Sequence, residues 1–338
     1  MPDCHAGKGC VIGTVMTLNN GKVVPNITGV DLSCGMHVVE LGKVDLDLNK
    51  LDRLIKRDVP RGFSARSEAH RFVKELRMES TLNNIRAEIY NMPRNLLSVG
   101  TLGSGNHFIE VDKDDEGNLY LVIHTGSRNL GKQIAEYWQK IAVETCEEET
   151  PADLAYLSGE LFDGYMADTE IANEYADASR RAIANVIIEG MDLEVLSSFT
   201  TVHNYIDLKN KVLRKGAVSA KEGEVLIIPI NMRDGSLIAV GKGNEDWNTS
   251  APHGAGRIMS RGQAKREIDL DRFKTSMDGI FSTTVNENTL DESPEAYKGM
   301  EEIIANTGDT VEVLKVIKPI YNIKDDTGRR KKFKKTQG

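Results

Sequence analysis

The sequence predicts a single α+β unit. Three observations support this prediction: short apolar runs lie between Gly-rich turns, two long stretches carry apolar residues at helical spacing, and no Pro/Ser-rich linker divides the 338 residues. Apolar residues make up 40% of the chain and charged residues 28%, which is typical of a globular protein.

The first half predicts strands, then a helix, then another strand. CVIGTVM (10–16) and GMHVVEL (35–41) are apolar runs between glycine turns and predict two strands. Apolar residues at helical spacing predict a helix from about residue 67 to 90. Residues 98–112 predict a Gly-punctuated loop, and LYLVIH (119–124) predicts a strand that ends in a polar turn.

The second half predicts two amphipathic helices followed by strands. The helices are expected at about 131–148 and 165–190. EVLIIPI and SLIAVG predict paired strands joined by a turn. VEVLKVIKPIYNIK (311–324) predicts a final strand in which Pro319 marks an edge or an interruption.

Composition excludes several classes of protein. No apolar run approaches the length that crosses a bilayer. The N-terminus has no basic segment followed by an apolar one, as a signal peptide would. Both observations predict a cytoplasmic location and no membrane partner. The four cysteines form no CxxC pair, as expected in a reducing compartment. A net charge of −8 excludes bulk electrostatic coating of nucleic acid but leaves room for a local basic groove.

Histidines cluster in settings where binding residues concentrate. Five of the seven lie at strand ends or in Gly-rich loops, namely His5, His107, His124, His203 and His253. His37 at the start of a strand and His70 in a charged segment are interpreted as structural or surface residues. Each loop histidine alone is compatible with a simple hydrogen-bonding role, and the group of five favours a site.

A carboxylate and a thiol accompany these histidines. Asp31 and Cys34 lie three residues apart in GVDLSCGM, close enough to hold one metal centre. Imidazoles with one thiolate and one carboxylate suit a borderline first-row ion such as Mn, Co, Ni or Zn. The alternative is a tight turn with a buried cysteine.

Other segments suit phosphate groups. GKG, GSGNH, GSR and RKGAVSA are glycine-containing turns with polar or basic neighbours, and none is a P-loop. PHGAGRIMSR (252–261) sets His253 among small residues and adds Arg257 and Arg261, either as phosphate ligands or as the wet face of a helix that starts near Arg257. The basic run RRKKFKK (329–335) is either a solvated tail or an auxiliary RNA contact.

Taken together, these motifs resemble the RtcB family of RNA-splicing ligases. The segments that carry the resemblance stand in the family's order: PDCHAGKGCVIG, GVDLSCGM, GTLGSGNHFIE, HTGSRNLG, HNY, RKGAVSA, PHGAGRIMSR and AYK. The resemblance spans residue 1 to about 324, which is the expected catalytic domain, with 325–338 as a basic tail. It implies a β-sheet core with flanking helices and a metal and nucleotide site in Gly-rich loops.

The resemblance also implies a reaction. Family members join a 2′,3′-cyclic phosphate or 3′-phosphate RNA end to a 5′-hydroxyl end, using GTP and Mn²⁺, in tRNA splicing and RNA repair. Its implied partners are RNA, GTP and an archease-type activator. Members carry a further segment before the PD-x-H motif, so this chain is expected to lack that segment, and the basic tail runs past the family's usual end.

Site residues follow from the same resemblance. His253 matches the histidine that attacks the GTP α-phosphate and carries GMP, and Asp3 or a backbone carbonyl is expected to orient it. Cys34 matches a cysteine that bridges two manganese ions. The further ligands are Asp31 and His107 for one ion and His124 and His203 for the other.

The remaining matches fall in two groups. Contacts to the guanylate or its phosphate are implied for Asn106, Phe108, Glu110, Asn204, Ser219, Ala255, Gly256, Tyr297 and Lys324. RNA phosphate contacts are implied for Arg257, Arg261 and Arg94. Two other classes use some of the same residues: a dinuclear metallohydrolase, either a phosphodiesterase or a phosphatase, and a non-catalytic RNA-end binder.

Overall fold

The structure is a computed structural model that describes residues 1–7, 9–146 and 149–327. The basic run at 329–335 lies outside these residues. Within them, the strands are β1 (Thr14–Thr17), β2 (Lys22–Val23), β3 (Gly35–Gly42), β4 (Phe108–Lys113), β5 (Leu119–Thr125), β6 (Leu157–Ser158), β7 (Ser197–Val202), β8 (Asn204–Asp207), β9 (Val212–Lys215), β10 (Ala217–Ser219), β11 (Val225–Asn231), β12 (Gly235–Gly241), β13 (Ser250–Pro252) and β14 (Val311–Lys324).

Helices alternate with these strands. They are α1 (Pro25–Thr28), α2 (Leu48–Asp58), α3 (Arg71–Glu75), α4 (Met78–Leu82), α5 (Met92–Leu97), α6 (Arg128–Thr145), α7 (Gly159–Met191), α8 (Arg261–Glu267), α9 (Leu270–Ser276) and α10 (Met300–Ala305). No helix within the described ranges combines the length and apolar character needed to span a bilayer.

A seven-stranded antiparallel sheet organises the molecule. Its order is β11-β12-β14-β4-β5-β3-β7, so β4, β5, β3 and β7 lie side by side. Gly35 at the start of β3 pairs with Thr125 at the end of β5 and with Val202 at the end of β7. Phe108 at the start of β4 pairs with His124. The residues that flank these positions therefore meet at one end of the sheet.

Smaller sheets and one long helix complete the fold. β1, β9 and β8 form a three-stranded sheet, and β10 pairs with β13, which ends one residue before His253. Helix α7 runs for 33 residues and packs on β3, β5, α2 and α6. Its buried side chains include Tyr165, Tyr175 and Ile183, each of which contributes about 1.5–3 kcal/mol by leaving water.

Most predicted elements are present with shifted boundaries. The hairpin of β11 and β12 and the two long helices α6 and α7 are confirmed. The continuous helix over 67–90 is wrong, because Arg77 takes a left-handed φ of 50° between α3 and α4. The chain beyond α4 leaves helical geometry, and the backbone N–H groups of Arg86 and Ala87 donate to the Asp168 carboxylate.

Two further expectations are wrong, and a third offered two alternatives of which one is confirmed. The loop predicted to reach residue 112 ends at His107, because β4 begins at Phe108. Pro319 is not on an edge, since β14 lies between β12 and β4, but the strand register shifts there, as a residue without an N–H requires. The helix does not start near Arg257, because Ser260 caps α8 by accepting from the Gln263 N–H.

Candidate metal and nucleotide site

Five predicted ligands converge at the end of the large sheet and are called here the metal-donor cluster: Asp31, Cys34, His107, His124 and His203. The Cys34 Sγ lies 3.2 Å from His124 Nε2 and 3.5 Å from His107 Nε2. His124 Nε2 is 3.3 Å from His203 Nε2, and His107 Nε2 is 3.3 Å from Asp31 Oδ2. The donors form two overlapping groups, each within 4.8 Å, that share Cys34.

The backbone around Cys34 is held by a buried cation. Arg180 of α7 is fully buried, and its Nη1 donates to the Ser33 carbonyl at 2.9 Å and to the Thr125 carbonyl at 3.1 Å. The His203 N–H donates to the Cys34 carbonyl at 2.9 Å. These bonds fix the loop before Cys34 against the strand that carries His124.

A glycine allows the carboxylate to approach. At Gly126, in the HTGSR turn, an added Cβ would lie 2.5 Å from Asp31 Oδ1, closer than real contacts allow. The glycine in this motif therefore makes room for the Asp31 side chain.

Protonation states fit divalent ions. Burial, followed by the neighbouring imidazoles, keeps the pKa of His124 and of His203 well below the ordinary value, so both rings are neutral. The His124 Nδ1 lies 3.2 Å from the Asn106 carbonyl and donates to it, which leaves the Nε2 lone pair facing Cys34.

The two anionic donors complete the fit. Burial alone would raise the pKa of Asp31, but His107 outweighs it and holds that pKa well below its usual range. Burial and Asp31 raise the pKa of the Cys34 thiol, so the sulfur ionises when a cation is present to stabilise it. Neutral imidazoles, a carboxylate and a shared sulfur suit two borderline divalent ions.

His253 follows β13 and is oriented by Asp3. The His253 Nδ1 is 2.6 Å from Asp3 Oδ2, and the His253 backbone N–H donates to the same oxygen at 3.0 Å. Asp3 is fully buried. Of the two orienting partners expected from sequence, the structure shows the carboxylate. With Nδ1 engaged, Nε2 is the ring nitrogen left for chemistry.

Glycines set the close packing around this pair. Gly256 has φ +76°, and a Cβ there would lie 2.4 Å from the Asp3 carbonyl oxygen. Gly216 has φ +62°, and a Cβ there would lie 3.1 Å from His253 Cε1. The His253 ring lies 5.0 Å, centre to centre, from the His203 ring, so the oriented histidine adjoins the metal-donor cluster.

One cavity of about 720 Å³ joins these groups. Most of the residues expected at the guanylate line it, namely Asn106, Phe108, Glu110, Asn204, Ala255, Gly256, Tyr297 and Lys324. It is also lined by His253, Arg257, Arg261 and four members of the metal-donor cluster. The fifth member, His107, is buried and does not line the cavity.

Besides His107, two predicted residues do not line this cavity. The Ser219 hydroxyl donates to Glu224 Oε2 at 2.6 Å. Arg94 is exposed and donates to the Phe63 carbonyl. The expectation that Arg257 and Arg261 share a helix face is wrong, since Arg257 lies outside α8 and bridges to Tyr297.

The two arginines nonetheless converge on a buried carboxylate that sequence reasoning missed. The Glu292 cluster comprises Arg257, Arg261, Glu292, Tyr297 and Lys324. Glu292 accepts from Arg261 at 2.8 Å, from Tyr297 at 2.9 Å and from Lys324 at 3.1 Å, and lies 3.5 Å from Arg257. Burial would raise its pKa, but Lys324, Arg261 and Arg257 outweigh it and lower that pKa. Its position four residues before the AYK motif was the available signal.

A second buried carboxyl behaves differently. Glu110 accepts from the Asn322 amide, and burial raises its pKa to about 7 despite the positive charge of Lys324. The Lys324 Nζ lies 4.9 Å above the Phe108 ring. This side of the cavity therefore offers an aromatic face, a cation and a carboxyl that titrates near neutrality.

Comparison with known proteins identifies the family. A sequence model of the family described as "tRNA-splicing ligase RtcB" matches residues 1–92 and 78–325. The RNA-splicing ligase RtcB of Escherichia coli K12 is 32% identical over 369 residues, covering 96% of this chain and 89% of that protein. The tRNA-splicing ligase RtcB of Nanoarchaeum equitans is 28% identical over 398 residues, covering 91% and 83%. The chain belongs to the RtcB family of RNA ligases, which confirms the resemblance seen in its motifs.

Proposed function

We propose that this RtcB-family ligase joins RNA ends that carry a 2′,3′-cyclic phosphate or 3′-phosphate to 5′-hydroxyl ends, through GMP attached to His253. GTP supplies the GMP, and the reaction serves tRNA splicing and RNA repair. The observation that carries the proposal is the His253–Asp3 pair, which opens on the same cavity as two metal-donor groups that share Cys34. Residues 1–324 form the catalytic domain in this proposal.

The metal-donor cluster would hold two Mn²⁺ ions. Cys34 with Asp31 and His107 would hold one, and Cys34 with His124 and His203 the other. Bound there, the ions supply positive charge that stabilises the charge developing on a phosphate. Mn²⁺ is the choice that the family resemblance favours among the ions this donor set accepts.

His253 performs the first transfer. Asp3 accepts the proton of Nδ1 and keeps the Nε2 lone pair available. Nε2 forms a bond to the α-phosphorus of GTP, the bond from that phosphorus to the pyrophosphate oxygen breaks, and pyrophosphate leaves. Asp3 stabilises the positive charge that forms on the imidazole, as a carboxylate does in a catalytic triad.

Two further transfers complete the joining. A cyclic phosphate is first opened by water, which breaks the ester bond to the 2′-oxygen and leaves a 3′-phosphate. An oxygen of that 3′-phosphate then attacks the GMP phosphorus, and the bond to His253 breaks. Finally the 5′-hydroxyl oxygen attacks the RNA phosphorus and gives up its proton, GMP leaves, and a phosphodiester remains.

The cavity walls position the guanylate and the RNA. Asn106, Phe108, Glu110, Asn204, Ala255, Gly256, Tyr297 and Lys324 would contact GMP or its phosphate, and Ser219 would do so from a neighbouring strand. Arg261, whose side chain is 42% exposed, is the arginine best placed for an RNA phosphate. Arg257 and Arg94 would contribute further RNA contacts.

Intact mass after incubation with GTP and Mn²⁺ tests the central step. We expect a single GMP adduct that acid removes, and no adduct in His253→Ala. His70→Ala, a histidine outside the cavity, should guanylate normally. Asp3→Asn should slow guanylation about 10²–10⁴-fold with little change in the GTP concentration required, since Asp3 acts through His253.

Other outcomes would replace the proposal. A metallohydrolase would open cyclic phosphates without any covalent guanylate, and a pure RNA-end binder would hold RNA without two metal ions. Joining should be measured with and without an archease-type activator, so that a missing partner is not mistaken for a missing activity.

A further inference from the structure

A second cavity of about 730 Å³ adjoins the first, within the roughly 300–1,000 Å³ typical of small-ligand sites. Arg261 and Glu292 line both cavities, so the second lies directly beside the reaction site. It is called here the side groove, and it runs between the loop at Phe63, the GSGN turn at Gly105, the start of α8 and Asp325.

An exposed aromatic ring stands at its edge. Phe63 is 69% exposed, the most exposed of the large hydrophobic side chains in the described residues. A phenyl ring left in water costs free energy unless a ligand covers it.

The loop that carries Phe63 is held firmly. The Gly62 N–H donates to the Gly103 carbonyl at 2.9 Å, and Arg94 donates to the Phe63 carbonyl. Gly62 has φ +61°, and a Cβ there would lie 2.6 Å from Thr327 Oγ1 and 2.9 Å from Asp325 Oδ1. The ring is therefore presented by a fixed backbone that packs directly on the groove wall.

The charges of the groove disfavour phosphate. Arg261 and Lys265 are the cations among its described lining residues, and both pair with Asp291, at 2.8 Å and 3.1 Å. Glu292 and Asp325 add further negative charge. Beyond Arg261, which also lines the reaction cavity, the groove offers a polyanionic backbone little, whereas an uncharged flat ring gains stacking on Phe63 beside a polar wall.

From these observations we propose that the side groove binds a nucleobase of one RNA strand, next to the reacting end, by stacking it on Phe63. This inference rests on the proposed function, since RNA reaches the groove through the reaction cavity. The groove thereby sets the direction in which one strand leaves the site.

Binding of single-stranded RNA, followed by fluorescence anisotropy, tests the proposal. Two oligonucleotides are used, one with a 3′-phosphate and one with a 5′-hydroxyl. Phe63→Ala should weaken binding of one of them about five- to 150-fold, and Phe63→Trp should retain it. Tyr90→Ala is the matched control, because Tyr90 is 64% exposed and lines neither cavity.

Abasic RNA identifies the contact. Removing the base at the first or second nucleotide should weaken wild-type binding as much as Phe63→Ala does, and combining both changes should cause no further loss. The salt dependence of binding should be equal in wild type and Phe63→Ala, since no phosphate contact is removed. The proposal would be overturned if Phe63→Ala left RNA affinity unchanged. It would also be overturned if Phe63→Ala weakened binding of abasic RNA as much as it weakened binding of intact RNA.

Guanylation separates the two proposals. Phe63→Ala should form the GMP adduct at the wild-type rate, because Phe63 does not line the GTP cavity. If the wild type formed no adduct, the proposed function would fail, while the RNA-binding comparison would still decide the role of Phe63.

Discussion

The metal-donor cluster and the Glu292 cluster both line one cavity, but they differ in how their charges are compensated. The first gathers lone pairs from neutral imidazoles, a carboxylate and a thiol, with two donor groups that share one sulfur. The second gathers three cations around a carboxylate that already pairs with them. The first is completed only by added cations, whereas in the second the carboxylate already has cationic partners within the chain.

This difference separates function from stability. Changes in the metal-donor cluster should alter ion binding more than folding, since its thiol and the neutral rings of His124 and His203 can be removed without leaving a buried charge unpaired. Changes in the Glu292 cluster should alter folding first, since removal of one partner leaves buried charges unpaired.

The largest effect is expected for Cys34→Ala. Because both donor groups use this sulfur, both ions should be lost, with affinity falling by more than the 10- to 100-fold that follows loss of an outer-shell partner. His107→Ala and His203→Ala should each retain one ion. Elemental analysis after dialysis measures this, with Cys146→Ala as the control. Two ions retained by Cys34→Ala would remove the sulfur from the site.

Next comes Glu292→Gln, which should lower the free energy of unfolding by about 3 kcal/mol. Lys324 and Arg257, whose side chains are 6% and 13% exposed, would keep their charges with no carboxylate between them. Chemical denaturation measures the loss. Glu295→Gln breaks a more exposed pair with Arg272 and should cost less than about 1 kcal/mol. If Glu292→Gln and Glu295→Gln lowered the free energy of unfolding equally, the Glu292 cluster would have no special role in stability.

Arg261→Ala should slow RNA joining about tenfold and leave guanylation unchanged, since loss of one charge-assisted contact costs about 1.5 kcal/mol. Arg261 is the partly exposed member of the Glu292 cluster and donates from Nη1 to Asp291 and Glu292, whereas Arg257 donates from all three guanidinium nitrogens, to Met259, Tyr297 and Asp291. Arg261→Lys should keep part of the effect, and Arg266→Ala on the same helix should have none. Parallel loss of guanylation would assign Arg261 to the GTP site.

The smallest effect concerns Glu110, a buried carboxyl with a raised pKa. Its pKa of about 7 in the folded state exceeds the ordinary 4.5, so the folded state binds the proton more tightly. The contribution of Glu110 to the free energy of unfolding is therefore fully present below pH 4.5 and is lost as pH rises through 7.

From pH 6 to pH 8 this loss should amount to about 1 kcal/mol. Glu110→Gln should remove that part of the pH dependence, measured by urea unfolding at both pH values. An identical pH dependence in the variant would show that Glu110 is already ionised at pH 6.

The sequence predicted the residues of the metal-donor cluster better than the other residues around the cavities. The metal-donor cluster was predictable because each member stands in a short motif of distinctive residue types. Glu292 escaped because its position four residues before the AYK motif is its only local signal, and its importance arises only when β14 brings Lys324 beside it. Phe63 escaped for the same reason, since nothing local distinguishes an exposed phenylalanine from a buried one.

Backbone geometry set the other limits. The break of the predicted helix at Arg77 and the start of β4 at Phe108 depend on tertiary hydrogen bonds and strand pairing, which local periodicity does not report. Pro319 was recognised as an interruption, but its place inside the sheet depends on the pairing of strands distant in sequence.

The placement of the metal donors at the ends of β3, β4, β5 and β7 has a consequence for the order of folding. β3, the hairpin of β4 and β5, and β7 are far apart in sequence, and α6 and α7 intervene between β5 and β7. Asp31 and Cys34 are close in sequence, but each of the two donor groups is complete only after longer segments have closed, and such distant pairings form slowly. An ion therefore cannot nucleate this fold as zinc nucleates a small finger domain. Metal uptake would then follow assembly of the sheet.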